Sequence, residues 1–337
     1  MPAMPSRVLI IGTGGTLGMR PREPGRALAP DEFGVTVAEH VPELSEIGEI
    51  DTCVLFHLDS TDLAPGPWMT IARRVADRIE EFDGFVVTHG TDAMAYTAAA
   101  LSYVLRDLPK PVILTGSQRP LADARTDGRA NLVGAVDLAT RDLPEVTVYF
   151  DGSLFRGNRV SKTSSFAFGA FRSPNHLPLA EVGTTVRAIT EPLRPRGPFR
   201  LEGAFDPRVT VLRLLPGMSD CALRALLDCD VRAVLIEAFG VGNIPVVDPS
   251  VGRAIRALTD AGKLVAIGSQ AIHGRVDLDA YAGGRHAREC GAIGIADMTI
   301  EAAAVKLMYL LGTLDSVDDA RERLTVPIAG EVTPDGG

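Results

Sequence analysis

The sequence predicts an α/β protein with a mainly parallel sheet, in a larger N-terminal and a smaller C-terminal domain. Three observations carry this reading. Short β-branched runs alternate with stretches of helical period, the pattern of strands that pair in parallel beneath covering helices. Most of these runs end in a polar or glycine-rich turn, as strands do where a sheet opens into a crevice. A proline-rich stretch without period, EPLRPRGPFRLEGAFDPR at 191–208, interrupts the alternation, and 337 residues exceed one average domain. The expected division is residues 1–192, a linker at 193–208 and residues 209–337.

The first strand is the apolar run from Val8 to Gly12, which breaks into Thr-Gly-Gly-Thr-Leu-Gly (13–18). Glycines there let the main chain approach a ligand and present bare N–H groups. A plain strand-to-helix turn would look the same. A dinucleotide loop fits poorly, because Leu17 stands at the third glycine position and no acidic residue ends a second strand about 20 residues on. Residues 19–34, MRPREPGRALAPDEFG, show no period and read as a long mobile loop, either a lid or a solvated surface segment.

A second strand at 50–56 runs into His-Leu-Asp-Ser-Thr-Asp (57–62). Trp68, Ile71, Ala72, Val75, Ile79 and Phe82 then recur at helical spacing and mark one buried face. Strand 84–88 leads into His89-Gly90-Thr91-Asp92, followed by a helix at 93–106. Strand 111–115 leads into Gly116-Ser117-Gln118, a helix at 131–141 and a strand at 146–150. Beyond the linker come strand 209–214, helix 219–228, strand 233–238, helix 249–261 and strand 264–268. Ile300, Ala304, Leu307 and Leu311 mark a late amphipathic helix.

Composition narrows the class. Hydrophobic residues at 46% and charged residues at 23% describe a globular protein. Lys+Arg 34 against Asp+Glu 43 leaves a net charge of −9, which without a basic cluster argues against nucleic acid. Cys53, Cys221, Cys229 and Cys290 form no CxxC pair and read as reduced thiols. The apolar run after MPAMPSR is too short for a leader, and no stretch approaches a membrane span. A soluble cytoplasmic protein is expected. The six histidines show no ligand spacing and the cysteine pattern is wrong for zinc, so no metal or cofactor is expected.

The residues that could carry chemistry stand just past strands: Thr16, then Ser60 and Thr61, then Thr91 and Asp92, then Ser117. Lys162 follows in Arg-Gly-Asn-Arg-Val-Ser-Lys (156–162). A threonine hydroxyl attacks poorly until a neighbour takes its proton. A desolvated lysine can do so, here relayed by Thr91, while Asp92 holds the amine or binds a substrate's α-amino group. Lys162 could equally be a surface lysine in a salt bridge. His57 and His89 are near, but a histidine at a strand end more often satisfies a backbone hydrogen bond than acts as a base.

Thr-Gly-Gly-Thr-Leu-Gly (13–18), His-Gly-Thr-Asp-Ala-Met-Ala-Tyr-Thr (89–97) and Arg-Gly-Asn-Arg-x-x-Lys (156–162) resemble the bacterial L-asparaginase family. The Asp-Ser-Thr-Asp wording at 59–62 is most similar to its cytoplasmic, type I branch. Gly-Val-Gly-Asn (240–243) and Ala-Asp-Met-Thr-x-Glu-Ala (296–302) extend the likeness over nearly the whole chain. The resemblance implies a flavodoxin-like N-terminal domain, a smaller α/β C-terminal domain, and intimate dimers often paired into tetramers. It makes Thr16 the nucleophile and Thr91 the second threonine, working with Lys162 and Asp92. Asp59, Ser60, Thr61, Asp92 and Ser117 would line the amino-acid pocket, with Gly15 and Gly90 contributing backbone. Asn243 would reach the site from a neighbouring subunit.

The implied reaction is L-asparagine plus water to L-aspartate plus ammonia, through a β-aspartyl ester on Thr16. A glutaminase-asparaginase of broader selectivity, acting also on L-glutamine, is one alternative. A catalytically silent amino-acid or nucleotide sensor on the same fold is another. One departure stands out: Arg26 falls where relatives usually carry a loop tyrosine thought to assist the nucleophile, and no tyrosine precedes Tyr96. Glu237 and Ala271 stand where some cytoplasmic members place an arginine and a cysteine around an effector, so that regulation is not expected.

Overall fold

A computed structural model describes residues 5–19 and 30–334. They fall into two compact units, Met1–Glu202 and Gly203–Gly337.

The first unit is built on β1 (Arg7–Gly14), which pairs in parallel with β2 (Glu49–Leu58) on one side and β3 (Gly84–Thr88) on the other. Val8 through Ile11 are buried whichever way they point. That burial on both faces is why the run is continuous rather than alternating. Val8, Ile10, Val86 and Ile113 join a core with Phe33 and Val37 of α1 (Pro30–His40), Leu44 of α2 (Leu44–Ile47), and Leu132 and Val136 of α5 (Gly128–Ala139). Alternation sends Leu9, Ile11, Phe85 and Val87 to the other face. The helices α3 (Pro65–Asp77) and α4 (Met94–Val104) pack against each other.

Residues 30–34 were expected to be loop, yet they open α1. A proline costs a first helical turn nothing, since its missing N–H has no partner there anyway. Phe33, Val37 and Val41 then fall four apart and all are buried. Residues 20–29, Arg26 among them, lie outside the described residues.

From β2 at one edge the sheet runs through β1 and β3 and on to five further strands. Beyond the short strand β4 (Leu105–Arg106), β5 (Val112–Thr115) and β6 (Val146–Phe150) continue the parallel order. Asp151 and Gly152, at φ 48° and 76°, then turn the chain back into the antiparallel β7 (Ser153–Arg156). A 3-10 turn at Gly157–Arg159 leads to a small hairpin of β8 (Ser161–Lys162) and β9 (Phe171–Arg172). The antiparallel β10 (Ala180–Val182) and β11 (Val186–Ala188) finish the sheet. The stretch expected as a linker is shared between the units. Its first part stays on the first, where Leu193 N donates to Glu145 Oε1 at 2.9 Å and β12 (Arg200–Leu201) pairs with β4.

In the second unit four parallel strands lie in chain order: β13 (Val209–Arg213), β14 (Ala233–Ala238), β15 (Leu264–Ser269) and β16 (Ile293–Gly294). The helices are α6 (Cys221–Ala225), α7 (Ser250–Asp260), α8 (Ala282–Glu289), α9 (Ile300–Thr313) and α10 (Val317–Arg323). The Thr299 side chain caps α9 by accepting from Ala302 N at 3.1 Å. Inside α9, Lys306 Nζ meets Glu331 Oε1 at 2.5 Å with both side chains 0% exposed. Sequence reading overran α6, expected over 219–228, and passed over α8, whose only apolar side chains are two alanines. Among the described residues no helix is long and apolar enough to cross a membrane.

Candidate active site

The chain leaves β1 through Gly14 and Gly15, both at positive φ. A Cβ on Gly14 would sit 2.3 Å from the Leu58 carbonyl oxygen, and one on Gly15 2.4 Å from Gly90 N. The end of β2 and the loop after β3 therefore close on this turn from either side, an approach only glycine permits. Thr16 comes next, half-buried, at the head of a 3-10 turn spanning Thr16–Gly18. Thr13 Oγ1 donates to the Thr88 carbonyl at 2.9 Å and ties the two strand ends together.

The loop after β3 is packed just as tightly on the next one out. A Cβ on Gly90 would lie 2.7 Å from both Cβ and Oγ of Ser60, and Ser60 Oγ accepts from Ala93 N at 3.4 Å. Asp59 heads the 3-10 turn Ser60–Asp62, accepting from Thr61 N at 2.9 Å and from Thr61 Oγ1 at 2.8 Å. Those two bonds, the backbone one first, hold its carboxyl below the usual range.

His89 is fully buried, and its partners fix its tautomer. The Gly90 carbonyl, 2.6 Å from Nδ1, can only accept, so Nδ1 carries the proton and Nε2 accepts from the Thr97 hydroxyl at 2.9 Å. Burial pushes the imidazole down to about 4, so it is neutral at neutral pH and braces the loop. His57 lies half-buried on β2.

Lys162 arrives by the antiparallel detour of β7 and the Gly157–Arg159 turn, not from the end of a parallel strand. Its Nζ donates to Thr91 Oγ1 at 2.7 Å and to Asp92 Oδ1 at 2.6 Å. Thr91 Oγ1 donates in turn to Gln118 Oε1 at 3.3 Å, and Gln118 Nε2 to the Ala167 carbonyl at 3.2 Å. The Lys162 side chain is 17% exposed and that of Asp92 64%. A sheltered amine thus touches one hydroxyl and one carboxylate, most of which still faces solvent. Ser117 is buried, and its hydroxyl is taken up inside its own turn, donating to the Arg119 carbonyl at 2.5 Å.

Sequence reading missed Gln118 as a partner of Thr91, and also Asp127 and Asn131, which hold the Gln118 turn from α5. Asp127 just before a helical stretch looks like an ordinary N-cap. Its side chain makes no cap bond, however, and reaches across to another loop.

Asn243 lies in the second unit, in a tight turn after β14 with Gly240 and Gly242 at positive φ. Its backbone N donates to the Phe239 carbonyl at 2.7 Å, and Phe239 N to the Asn243 carbonyl at 3.1 Å. Glu237 is half-buried with its carboxylate 3.5 Å from Arg213, and Ala271 is exposed.

Comparison with known proteins places this geometry in context. Residues 7–194 match the family model described as Asparaginase, N-terminal, and residues 208–324 match the Glutaminase/Asparaginase C-terminal domain. L-asparaginase 1 of Escherichia coli (strain K12) is 37% identical over 335 residues, covering 97% of this chain and 98% of that protein. A Glutamyl-tRNA(Gln) amidotransferase component of Pyrococcus horikoshii is 37% identical over 346 residues, covering 99% of this chain and 78% of that one. The solved structure of the thermostable L-asparaginase from Thermococcus kodakarensis superposes with a TM-score of 0.90 at 36% identity, over 97% of this chain and 99% of its own.

Proposed function

Because the chain belongs to the asparaginase family of amidohydrolases, we propose that it hydrolyses L-asparagine to L-aspartate and ammonia through an ester on Thr16. The observation that carries this is the Lys162 amine, 2.7 Å from Thr91 and 2.6 Å from Asp92, on a loop packed against the turn that holds Thr16.

The reaction breaks an amide C–N bond and installs the oxygen of water. Thr16 Oγ1 attacks the side-chain carbonyl carbon, and its proton passes through the Thr91 hydroxyl to Lys162 in its neutral form. The carbonyl electrons collect on oxygen, opposite backbone N–H groups such as that of Thr91. The carbonyl re-forms as the C–N bond breaks, and the leaving nitrogen takes a proton back from Lys162 to depart as ammonia. Water then attacks the ester along the same relay, which frees the aspartate carboxyl and returns a proton to Thr16. General base assistance of this kind is worth about 10²–10⁴-fold, and one oxyanion donor about 3–4 kcal/mol. The exposed remainder of the Asp92 carboxylate suits the substrate's α-ammonium.

The name of the C-terminal family model makes L-glutamine the second substrate to test. The extra methylene is worth only about 1–3 kcal/mol of discrimination, so kcat/KM for the two amides decides between them. The four cysteines are free thiols, which suits a reducing cytoplasmic setting. The assembly we propose is a homodimer, alone or paired into tetramers, with Asn243 completing a partner's site.

Ammonia release from L-asparagine tests the reading, with Thr16→Ala as control. The variant should lose at least about 10³-fold in kcat while keeping its fold. Rapid quenching of the wild-type reaction should leave an acyl adduct on the peptide containing Thr16. A loss under about tenfold would remove Thr16 from the nucleophile's role.

A further inference from the structure

The turn at 116–119 brings Ser117 and Gln118 to the rim, although β5 ends at Thr115 and the sheet does not dictate where the chain goes next. Its inner side rests on the loop after β3: a Cβ on Gly116 would lie 2.3 Å from the His89 carbonyl oxygen and 3.1 Å from Met94 Cε. Its outer side is held from α5. Asp127 stands at the N-cap of that helix, where an aspartate ordinarily accepts from its own first turn. Here Thr126 Oγ1 accepts from Gly128 N at 2.9 Å instead. The Asp127 carboxylate is turned to the neighbouring loop, with both oxygens 3.0 Å from Gln118 N and Oδ1 3.2 Å from Arg119 N.

One turn further along α5, Asn131 Nδ2 donates to the Gly116 carbonyl at 3.0 Å and to Asp127 Oδ2 at 3.3 Å. Asn131 Oδ1 is occupied by Asp151 N at 3.0 Å, which fixes the amide's orientation. Three N–H donors therefore converge on one half-buried carboxylate, and all three belong to the turn or its support. The Arg119 guanidinium is bound to Asp123 at 2.8 Å, so the carboxylate's attachment to the turn runs through backbone N–H groups.

We propose that Asp127 is a positioning residue for the amino-acid pocket: its carboxylate fixes the Ser117–Gln118 turn, and through it the pocket wall and the Gln118 contact to Thr91. This rests on the rim being the asparaginase site proposed above. Remove the carboxylate and two backbone N–H groups lose a charged acceptor, while Gln118 is free to leave Thr91.

Steady-state ammonia release from L-asparagine, with thermal unfolding alongside, tests the role. Asp127→Ala should raise KM about tenfold or more, because hydrogen bonds to a charged group are among the stronger ones. Asp127→Asn, which keeps one acceptor oxygen and the side-chain shape, should fall between wild type and Asp127→Ala. A purely structural role would lower the melting temperature and the number of working sites but leave KM where it was. A folded Asp127→Ala protein with KM within about twofold of wild type overturns the proposal. If Asp127→Ala does not fold, Asn131→Ala, which removes that amide's contacts to Gly116, Asp127 and Asp151 N, should raise KM in the same direction, and an unchanged KM overturns the proposal there. A wild-type protein that releases no ammonia from asparagine fails the functional reading itself and takes the positioning role with it. An active wild type with unmoved variants fails the positioning role alone.

Discussion

Lys162 and Asp92 lie 2.6 Å apart, and their different exposure separates what each can do. The amine, sheltered against Thr91, can exchange a proton without competition from bulk water. The carboxylate can hold that amine with one oxygen and a second cation with the rest. Replacing Lys162 by Met keeps a similar stem and removes the proton acceptor. Its kcat should fall by about 10²–10⁴-fold with KM little changed. Asp92→Asn should raise KM as well, because a charge-assisted contact to the substrate's ammonium is lost. Steady-state kinetics with L-asparagine separate the two, and identical signatures would mean that at least one role is misassigned. Gly15 shows how much of this could be read from sequence. A glycine pair after a β-branched run announces a tight turn, and the turn is there. What Gly14 and Gly15 face, Leu58 and Gly90, comes from segments 44 and 75 residues away, and no local pattern encodes that.

At the scale of elements, strands and helices with a clear period were legible within a few residues of their observed bounds. The parts that escaped are those held by distant partners. The chain from β7 to Lys162 contains pieces two to four residues long, too short to show any period. Its anchor is Arg156, whose Nε meets Glu145 Oε2 at 2.8 Å with side chains 8% and 6% exposed. Arg156 also donates to the Glu191 carbonyl at 3.3 Å and lies 3.0 Å from His176 Nε2. Leaving one member of such a pair buried alone costs about 3–5 kcal/mol. Arg156→Met should therefore be destabilised by about that amount in denaturant unfolding. Because the Gly157–Arg159 turn runs from this anchor to Lys162, the variant should also lose kcat below its unfolding midpoint. Full activity with full stability would show that the strap holds Lys162 without its anchor.

On the scale of the whole molecule, the number of chains that make one site decides which variants complement each other. Asn243 sits in a turn that its own glycines already explain, yet family resemblance assigns it to a partner's pocket. Mixing inactive Thr16→Ala with inactive Asn243→Ala subunits separates the two readings. Random exchange makes half the dimers mixed, and each mixed dimer holds one site free of both lesions. Activity should then return towards about a quarter of wild type. No recovery, despite demonstrated exchange between two inactive parents, would put Asn243 in its own chain's site or in none. The sequence could supply the residue but not the chain it serves, since contacts between chains leave no mark on local periodicity.

The pair of Lys306 and Glu331 gives the irregular tail of the second unit an unexpected weight. Glu331 also accepts from the backbone N–H groups of Ile328 and Ala329, so this stretch without helix or strand is tied to the middle of α9. An exopeptidase that reached Thr333 would first have to break its bonds to Asp297 and uncover the buried Val332 before it met that glutamate. Beyond it, trimming would take the carboxylate from a fully buried ammonium that also donates to the Val326 carbonyl, and the damage would register as collapse of the unit rather than as a shorter tail.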